Sequence, residues 1–161
     1  MKKLHKAKSK INGVGLFSEQ SYKEGDFIAY IDGPVQVIRE HTPTLSKQTL
    51  NWIGVSKYSW INTDKSVFRY INHSCEPNVA QITKRKVVAI KDIPAGEELT
   101  MDYSLTEAEE DWEIADCKCG SNLCRGKVVS IMKLPRKVFE RKEQYIPEKF
   151  KSVYRSYSRQ Q

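Results

Sequence analysis

Short runs of apolar residues alternate with polar and Gly/Pro breaks through the first hundred positions. Val14 to Phe17, Phe27 to Ile31 and Val35 to Ile38 have the length and β-branched character of strands. Val79 to Ile82 and Val87 to Ile90 read as the arms of a hairpin, with the polar turn Thr83-Lys84-Arg85-Lys86 between them. Two segments echo one another, Lys23-Glu24-Gly25-Asp26-Phe27-Ile28 and Pro94-Ala95-Gly96-Glu97-Glu98-Leu99, and each reads as a tight turn feeding a strand. Helix signals are poor before residue 104, Leu45 to Ile53 being the one short candidate. Beyond it, Glu107 to Glu113 offers acids in a first turn with Thr106 as N-cap. Phe150, Val153, Tyr154 and Tyr157 fall at i, i+3, i+4 and i+7, one stripe of a helix that Pro147 starts at its first position. The pattern therefore predicts a β-rich α+β chain: a body over 1–104, a cysteine-bearing flap over 105–130 and a basic helical tail over 131–161 that packs back on the body.

Composition narrows this picture only modestly. The 161 residues are 39% hydrophobic and 29% charged, values of an ordinary globular domain, with no low-complexity tract. No apolar run approaches the length of a membrane span. The basic start, Met1 to Lys8, is followed by no apolar stretch of a secretory signal, so an intracellular, reducing setting (cytoplasmic, nucleoid or nuclear) is expected. The net charge of +7 is uneven. Five lysines lie in residues 1–10 and nine basic residues in 133–161, whereas 107–116 holds six acids and no base. Basic ends suit an acidic partner or plain solubility, and no nucleic-acid-binding motif accompanies them. Contact with nucleic acid is expected only indirectly, through those ends.

The cysteines carry more information. There are four, Cys75, Cys117, Cys119 and Cys124, and the last three fall within eight residues. In a reducing compartment such crowding points to a metal, and zinc takes thiolates in a tetrahedron. Cys75 is the remaining thiol, so one structural Zn2+ would tie two distant segments together. Lys118, Arg125 and Lys127 would favour the thiolates. Burial as small hydrophobes is the plainer reading, but the segment around them is too polar for core. Redox use is unsupported, since no Cys-x-x-Cys heads a helix. The densest polar patch is Arg69-Tyr70-Ile71-Asn72-His73-Ser74-Cys75-Glu76-Pro77-Asn78. It reads alternatively as a Cys-His nucleophilic pair or as a satisfied polar turn before Pro77.

Taken with Gly96-Glu97-Glu98-Leu99-Thr100-Met101-Asp102-Tyr103, with Cys-x-Cys-x4-Cys-Arg-Gly and with Gly13-Val14-Gly15, all in order between about residue 10 and residue 127, this patch resembles the SET-domain protein lysine methyltransferases with a post-SET zinc module. The layout is similar to the small stand-alone bacterial members. The resemblance implies a SET-type fold and transfer of a methyl group from S-adenosylmethionine to a lysine amine. It implies that Tyr103 is catalytic. It implies that Gly13, Val14, Gly15, Arg69, Asn72 and His73 contact the cofactor, the last two largely through main chain, and that Tyr30 and Met101 line the substrate channel. It also implies that Cys75, Cys117, Cys119 and Cys124 hold the zinc.

Free lysine, with a pKa of about 10.4, is protonated at neutral pH. Desolvation and a nearby sulfonium would release its proton without a dedicated base. Trp52 or Trp60 would line the cofactor pocket. Met101 stands where several members carry Phe or Tyr, and its lack of a hydrogen-bond donor points to more than one methyl. Ser66-Val67 replaces the usual Gly-Asn, and no cysteine-rich module precedes residue 10. Histones, histone-like and ribosomal proteins are the candidate lysine-bearing partners. The competing readings are a non-catalytic module of the same fold that binds a lysine-bearing peptide, and a basic nucleic-acid-associated protein.

Overall fold

A computed structural model describes residues 4–39 and 51–161. The proposed helix Leu45 to Ile53 lies mostly outside these residues, and its last member, Ile53, opens a strand. The body is built from small sheets. One has the order β1-β2-β10-β7: β1 (Leu4–Lys8), β2 (Val14–Ser18) and β10 (Glu98–Met101) are antiparallel neighbours, and β7 (Asn72–His73) joins β10 in parallel. The second is antiparallel β3-β9-β8, from β3 (Phe27–Tyr30), β9 (Lys86–Ala89) and β8 (Val79–Gln81). The third is antiparallel β4-β6-β5, from β4 (Val35–Val37), β6 (Ser59–Ile61) and β5 (Ile53–Ser56). Two-residue strands β11 (Glu113–Ile114) and β12 (Val128–Val129) pair in the flap.

The strands read from the apolar pattern are present, and so is the hairpin. Its turn closes where the Lys86 amide donates to the Thr83 hydroxyl. The two echoed turns work alike. Gly25 and Gly96 have φ of +88° and +83°, a region that disfavours side chains, and the strands begin two residues later. The turns meet where Tyr22 pairs with Ile93. Fully buried Leu16, Ile31, Ile61, Val79, Val87 and Leu99 fill the core between the sheets.

A second apolar cluster joins Leu105, Ala108, Ile131 and Leu134 to the tail helices α1 (Arg136–Lys142) and α2 (Glu148–Ser158). The stripe on α2 packs as its spacing requires: Phe150 is fully buried, and the ring of Tyr154 stacks 3.8 Å from that of Phe139. Pro147 sits one place earlier than expected, in the N-cap position.

Glu107 to Glu113 is not a helix. Its backbone is spent on the neighbouring segment, with Ile131 and Ser130 amides donating to the carbonyls of Glu107 and Trp112. Glu107 turns inward, and its carboxylate takes the Ala108 and Glu109 amides at 2.7 and 3.0 Å. Thr106 closes the preceding 3-10 turn (Tyr103–Leu105) instead of capping a helix.

Candidate functional site

Asn72 and His73 lie side by side with Thr100 and Met101 across the parallel β7–β10 pair. This pairing brings the Asn-His segment to the end of the strand that delivers Tyr103. The Asn72 amide points into the loop before β2. Its Nδ2 donates to Glu98 Oε1 at 2.8 Å, with Ser9 Oγ and the Asn12 and Val14 carbonyls within 3.3 Å. Ser9 Oγ donates to the same Glu98 carboxylate at 2.8 Å and receives the Ile11 and Asn12 amides. The Gly13-Val14-Gly15 loop is thus tied down from beneath. A Cβ on Gly15 would overlap the Glu98 carboxylate, so the glycine is what lets that side chain approach so closely. Gly13, at φ +49°, faces open space, with nothing described within 4 Å of a Cβ placed there.

His73 Nδ1 accepts the Tyr103 amide at 3.2 Å, so the ring proton sits on Nε2, which faces Cys75 Sγ at 3.4 Å. Burial, against the opposing pull of Asp102, lowers the His73 pKa to about 4 and keeps the ring neutral. Tyr103 packs edge-on against this ring, with centroids 5.3 Å apart, and its hydroxyl donates to the Ile71 carbonyl at 2.5 Å. Burial and Glu98 push the phenol well above its ordinary pKa, so it is an un-ionised donor at neutral pH.

Beside Tyr103 opens a cavity of about 360 Å3. Met101, Ile71, Phe68 and Arg69 line it together with Trp52, Trp60 and Trp112 and the acids Glu107, Glu109, Asp111 and Glu113. Its size and its mix of aromatic and polar walls suit a small-molecule or side-chain ligand. Both candidate tryptophans therefore reach it. Trp60 Nε1 donates to Glu107, whereas the buried Trp52 Nε1 finds no partner among the described residues, an open donor for a ligand. Arg69 lines the cavity but spends one Nη1 bond on the Asp64 carbonyl at 2.7 Å. Tyr30 does not share this site: it is 60% exposed on the outer face of β3, its ring against Phe27. The next residue, Ile31, just beyond the strand, is the one fully buried in the core.

Cys75, Cys117 and Cys119 converge with His73, their ligand atoms all lying within 4.8 Å of one another. Sulfurs on a tetrahedral zinc at about 2.3 Å stand about 3.8 Å apart, and Cys75 and Cys117 are separated by 3.9 Å. The three thiols therefore fit zinc, while His73, with its ring proton on Nε2, faces them as a hydrogen-bond donor and not as a ligand. Burial opposes ionisation of Cys119, but hydrogen bonds from the Cys75 backbone and from Ser121 outweigh it and bring the thiol down to about 6. Cys124 closes the same loop from outside the group, with Sγ 3.7 Å from the Cys117 carbonyl. The Cys117 amide donates to the Gly126 carbonyl, and the Leu123 amide to Glu76, which docks the flap on the turn bearing Cys75.

Several working residues carry contacts that the sequence pattern does not reveal. Asp102 is wholly buried and grips Arg125 through two hydrogen bonds of 2.7 and 2.8 Å. Burial alone would raise its carboxyl; Arg125 and Lys142 hold it below the usual range. Lys142 reaches in from α1, and Glu98 and Ser9 support the glycine loop. Glu98 and Asp102 stand inside the Gly96–Tyr103 motif, but the motif does not name the partners they take in the fold.

Residues 13–104, which hold the Asn72-His73 strand, its partner β10 and the tyrosine just beyond it, match the SET domain family. The chain belongs to that family. It is 32% identical over 142 residues, 78% of its length, to the "Histone-lysine N-methyltransferase, H3 lysine-4 specific" of Schizosaccharomyces pombe, and 34% identical over 140 residues, 74% of its length, to the Saccharomyces cerevisiae protein of the same description. It spans only 15% and 12% of those relatives. Among solved structures, "crystal structure of KRYPTONITE in complex with mCHG DNA and SAH" superposes with a TM-score of 0.60 at 22% identity, over 78% of this chain and 28% of that one. Among the described residues no helix is long and apolar enough to cross a membrane.

Proposed function

We propose that this chain is a protein-lysine N-methyltransferase that uses S-adenosylmethionine. The observation that carries the reading is the un-ionised Tyr103, held against His73 and Ile71 at the wall of a cavity rich in tryptophan. The bound cofactor would supply a methyl group on a positively charged sulfur. Gly13, Val14, Gly15, Asn72, His73 and Arg69 would hold it. The open space over Gly13 fits that assignment; of these residues Arg69 alone lines the Tyr103 cavity, among the described residues, and SAH is the molecule named with the structurally similar protein.

Tyr103 would orient the lysine amine. Met101, Trp52 and Trp60 would exclude water from around it, which disfavours the ammonium form and exposes the nitrogen lone pair. No residue need accept the lysine proton permanently. Met101 offers no hydrogen bond to an ordered water, which favours addition of more than one methyl. Cys75, Cys117 and Cys119 would hold one zinc ion that pins the flap, with Cys124, which lies in the same loop but outside the converging group, turning in as the fourth ligand. In this reading 1–104 is the catalytic body, 105–130 the metal-bound flap and 131–161 the docked tail. The partner would be a basic, lysine-bearing protein such as a histone, met inside the cell. The names of the similar proteins and the acidic cavity wall support a histone.

The test is calorimetric titration of the metal-loaded chain with S-adenosylmethionine, followed by incubation with core histones and mass spectrometry of the products. Binding of the donor and methyl groups on lysine are expected. Binding without transfer to histones or to the proteins of a lysate would favour the non-catalytic module; no binding would reject the assignment.

A further inference from the structure

A lysine rarely sits inside a protein, and when it does a partner holds it. Lys142 is such a case. It occupies the last turn of α1, where Phe139 and Lys142, three apart, share the buried face while Arg141 is exposed. Its side chain is 10% exposed, and Nζ donates to Asp102 Oδ2 at 2.5 Å and to the Cys75 carbonyl at 2.8 Å.

Asp102 is the residue on which three parts of the chain meet. Its Oδ1 takes Arg125 Nη2 at 2.7 Å and the Ser104 amide at 3.2 Å, and its Oδ2 takes Arg125 Nη1 at 2.8 Å and Lys142. Arg125 belongs to the flap and Lys142 to the tail. The bond from Ser104 closes the turn on which Tyr103 stands, and the Tyr103 amide is itself fixed on His73. The Asp102 carboxylate is therefore tied, through the turn it closes, to the backbone that carries the phenol.

We propose that Lys142 is a positioning residue for the reaction: it clamps Asp102 and the Cys75 carbonyl from the tail helix and so holds Tyr103 at the cavity wall. The proposal rests on the transferase reading for its kinetic consequence, but not for its geometry. Without Lys142, Asp102 Oδ2 loses one of its two partners and the Cys75 carbonyl loses the donor described here. Both are buried, so the groups must tilt to find others. A small tilt at Tyr103 matters, because rates fall steeply when reacting groups are misaligned. The tail is then part of the active site's framework, although it supplies no residue to the cavity.

The experiment compares the wild type with Lys142→Met, which keeps the stem and removes the charge, and with Lys142→Arg, which keeps the charge. Lys142→Gln serves if the methionine variant fails to fold. The readouts are kcat and KM, bound zinc, and the ring-proton shifts of His73, which the Tyr103 ring moves through their edge-on contact. For Lys142→Met, kcat is expected to fall about tenfold or more, with KM for S-adenosylmethionine within about twofold and zinc content unchanged. The His73 shifts should move, and Lys142→Arg should restore much of kcat.

An unchanged kcat would overturn the proposal, as would a loss of kcat that tracks zinc loss and that arginine fails to rescue. The shift measurement needs no turnover. Unmoved His73 shifts in the methionine variant would refute the positioning role by themselves. Moved shifts in a chain whose wild type transfers no methyl would uphold the geometry and remove the transferase reading instead.

Discussion

The body and the flap touch at the same residues but are held together by different forces. In the body, strands pair along ladders and bury Leu16, Ile31, Ile61, Val79 and Leu99 completely. In the flap, the one ladder is the two-residue β11–β12 pair, and residues 113–116 are all exposed. The two ends of the flap are buried, at Leu105, Ala108, Val128 and Val129, but what fixes its outer part is polar and shared: Cys75 opposite Cys117, Glu76 under Leu123, Asp102 gripping Arg125. Hydrophobic burial can hold a body alone, whereas a short polar segment cannot offset its own ordering entropy without a ligand. The chemistry thus sits where a self-sufficient framework meets a segment that depends on it.

Metal removal should break this comparison most visibly. Binding of a structural metal counts as folding free energy for the segment it orders. Chelated protein should lose hydrogen-exchange protection and become protease-sensitive across 105–127, with activity lost and the β3-β9-β8 amides still protected. Equal protection of the flap before and after verified removal would show that the flap needs no metal.

The seam between body and tail gives the next largest effect. Phe150 is fully buried against Gly54 of β5 and the second apolar cluster. Phe150→Ala should cost about 3–5 kcal/mol in denaturant unfolding. At Gly54 a Cβ would lie within 3.0 Å of the Thr106 carbonyl group, which is backbone and cannot swing aside. Gly54→Ala should therefore cost about 1–3 kcal/mol. A neutral result at both sites would detach the tail from the body's stability.

The smallest effect concerns the cavity wall. Burial holds the Glu107 carboxyl above the usual carboxylate range. The folded chain then binds this proton more tightly than the unfolded one. Its contribution to stability is fully present below the unfolded pKa of about 4.3 and is lost as pH rises through the folded value. Glu107→Gln should raise Tm relative to wild type at about pH 7, and the gain should shrink towards about pH 4. A pH-independent difference would mean that Glu107 does not titrate with folding.

The sequence made most of the body legible because its signals are local. The hairpin, the two glycine turns and the α2 stripe each lie within one short window. The Asn-His patch, Tyr103 and the cysteine block were legible as motifs, and the fold brings them to one end of the molecule. Long-range partners were not legible. Asp102 and Lys142 are 40 residues apart, and Lys142 reads as one more basic residue of the tail. Glu98 and Asn72 meet across strands that only the fold aligns. The acids from Glu107 onward looked like a helix start because their spacing says nothing of Glu107 turning inward. Tyr30 matches a family position loosely, and it stands exposed at the end of an irregular β3, where no local pattern marks its direction.

The most direct test of the central claim pairs the wild type with Tyr103→Phe in one assay, using methyl-labelled S-adenosylmethionine and core histones, with donor binding measured alongside. Wild type should label lysine, and the phenylalanine variant should bind the donor equally while turnover falls about 100-fold or more. Equal labelling by both proteins would contradict the account, because the phenol would then have no part in the transfer.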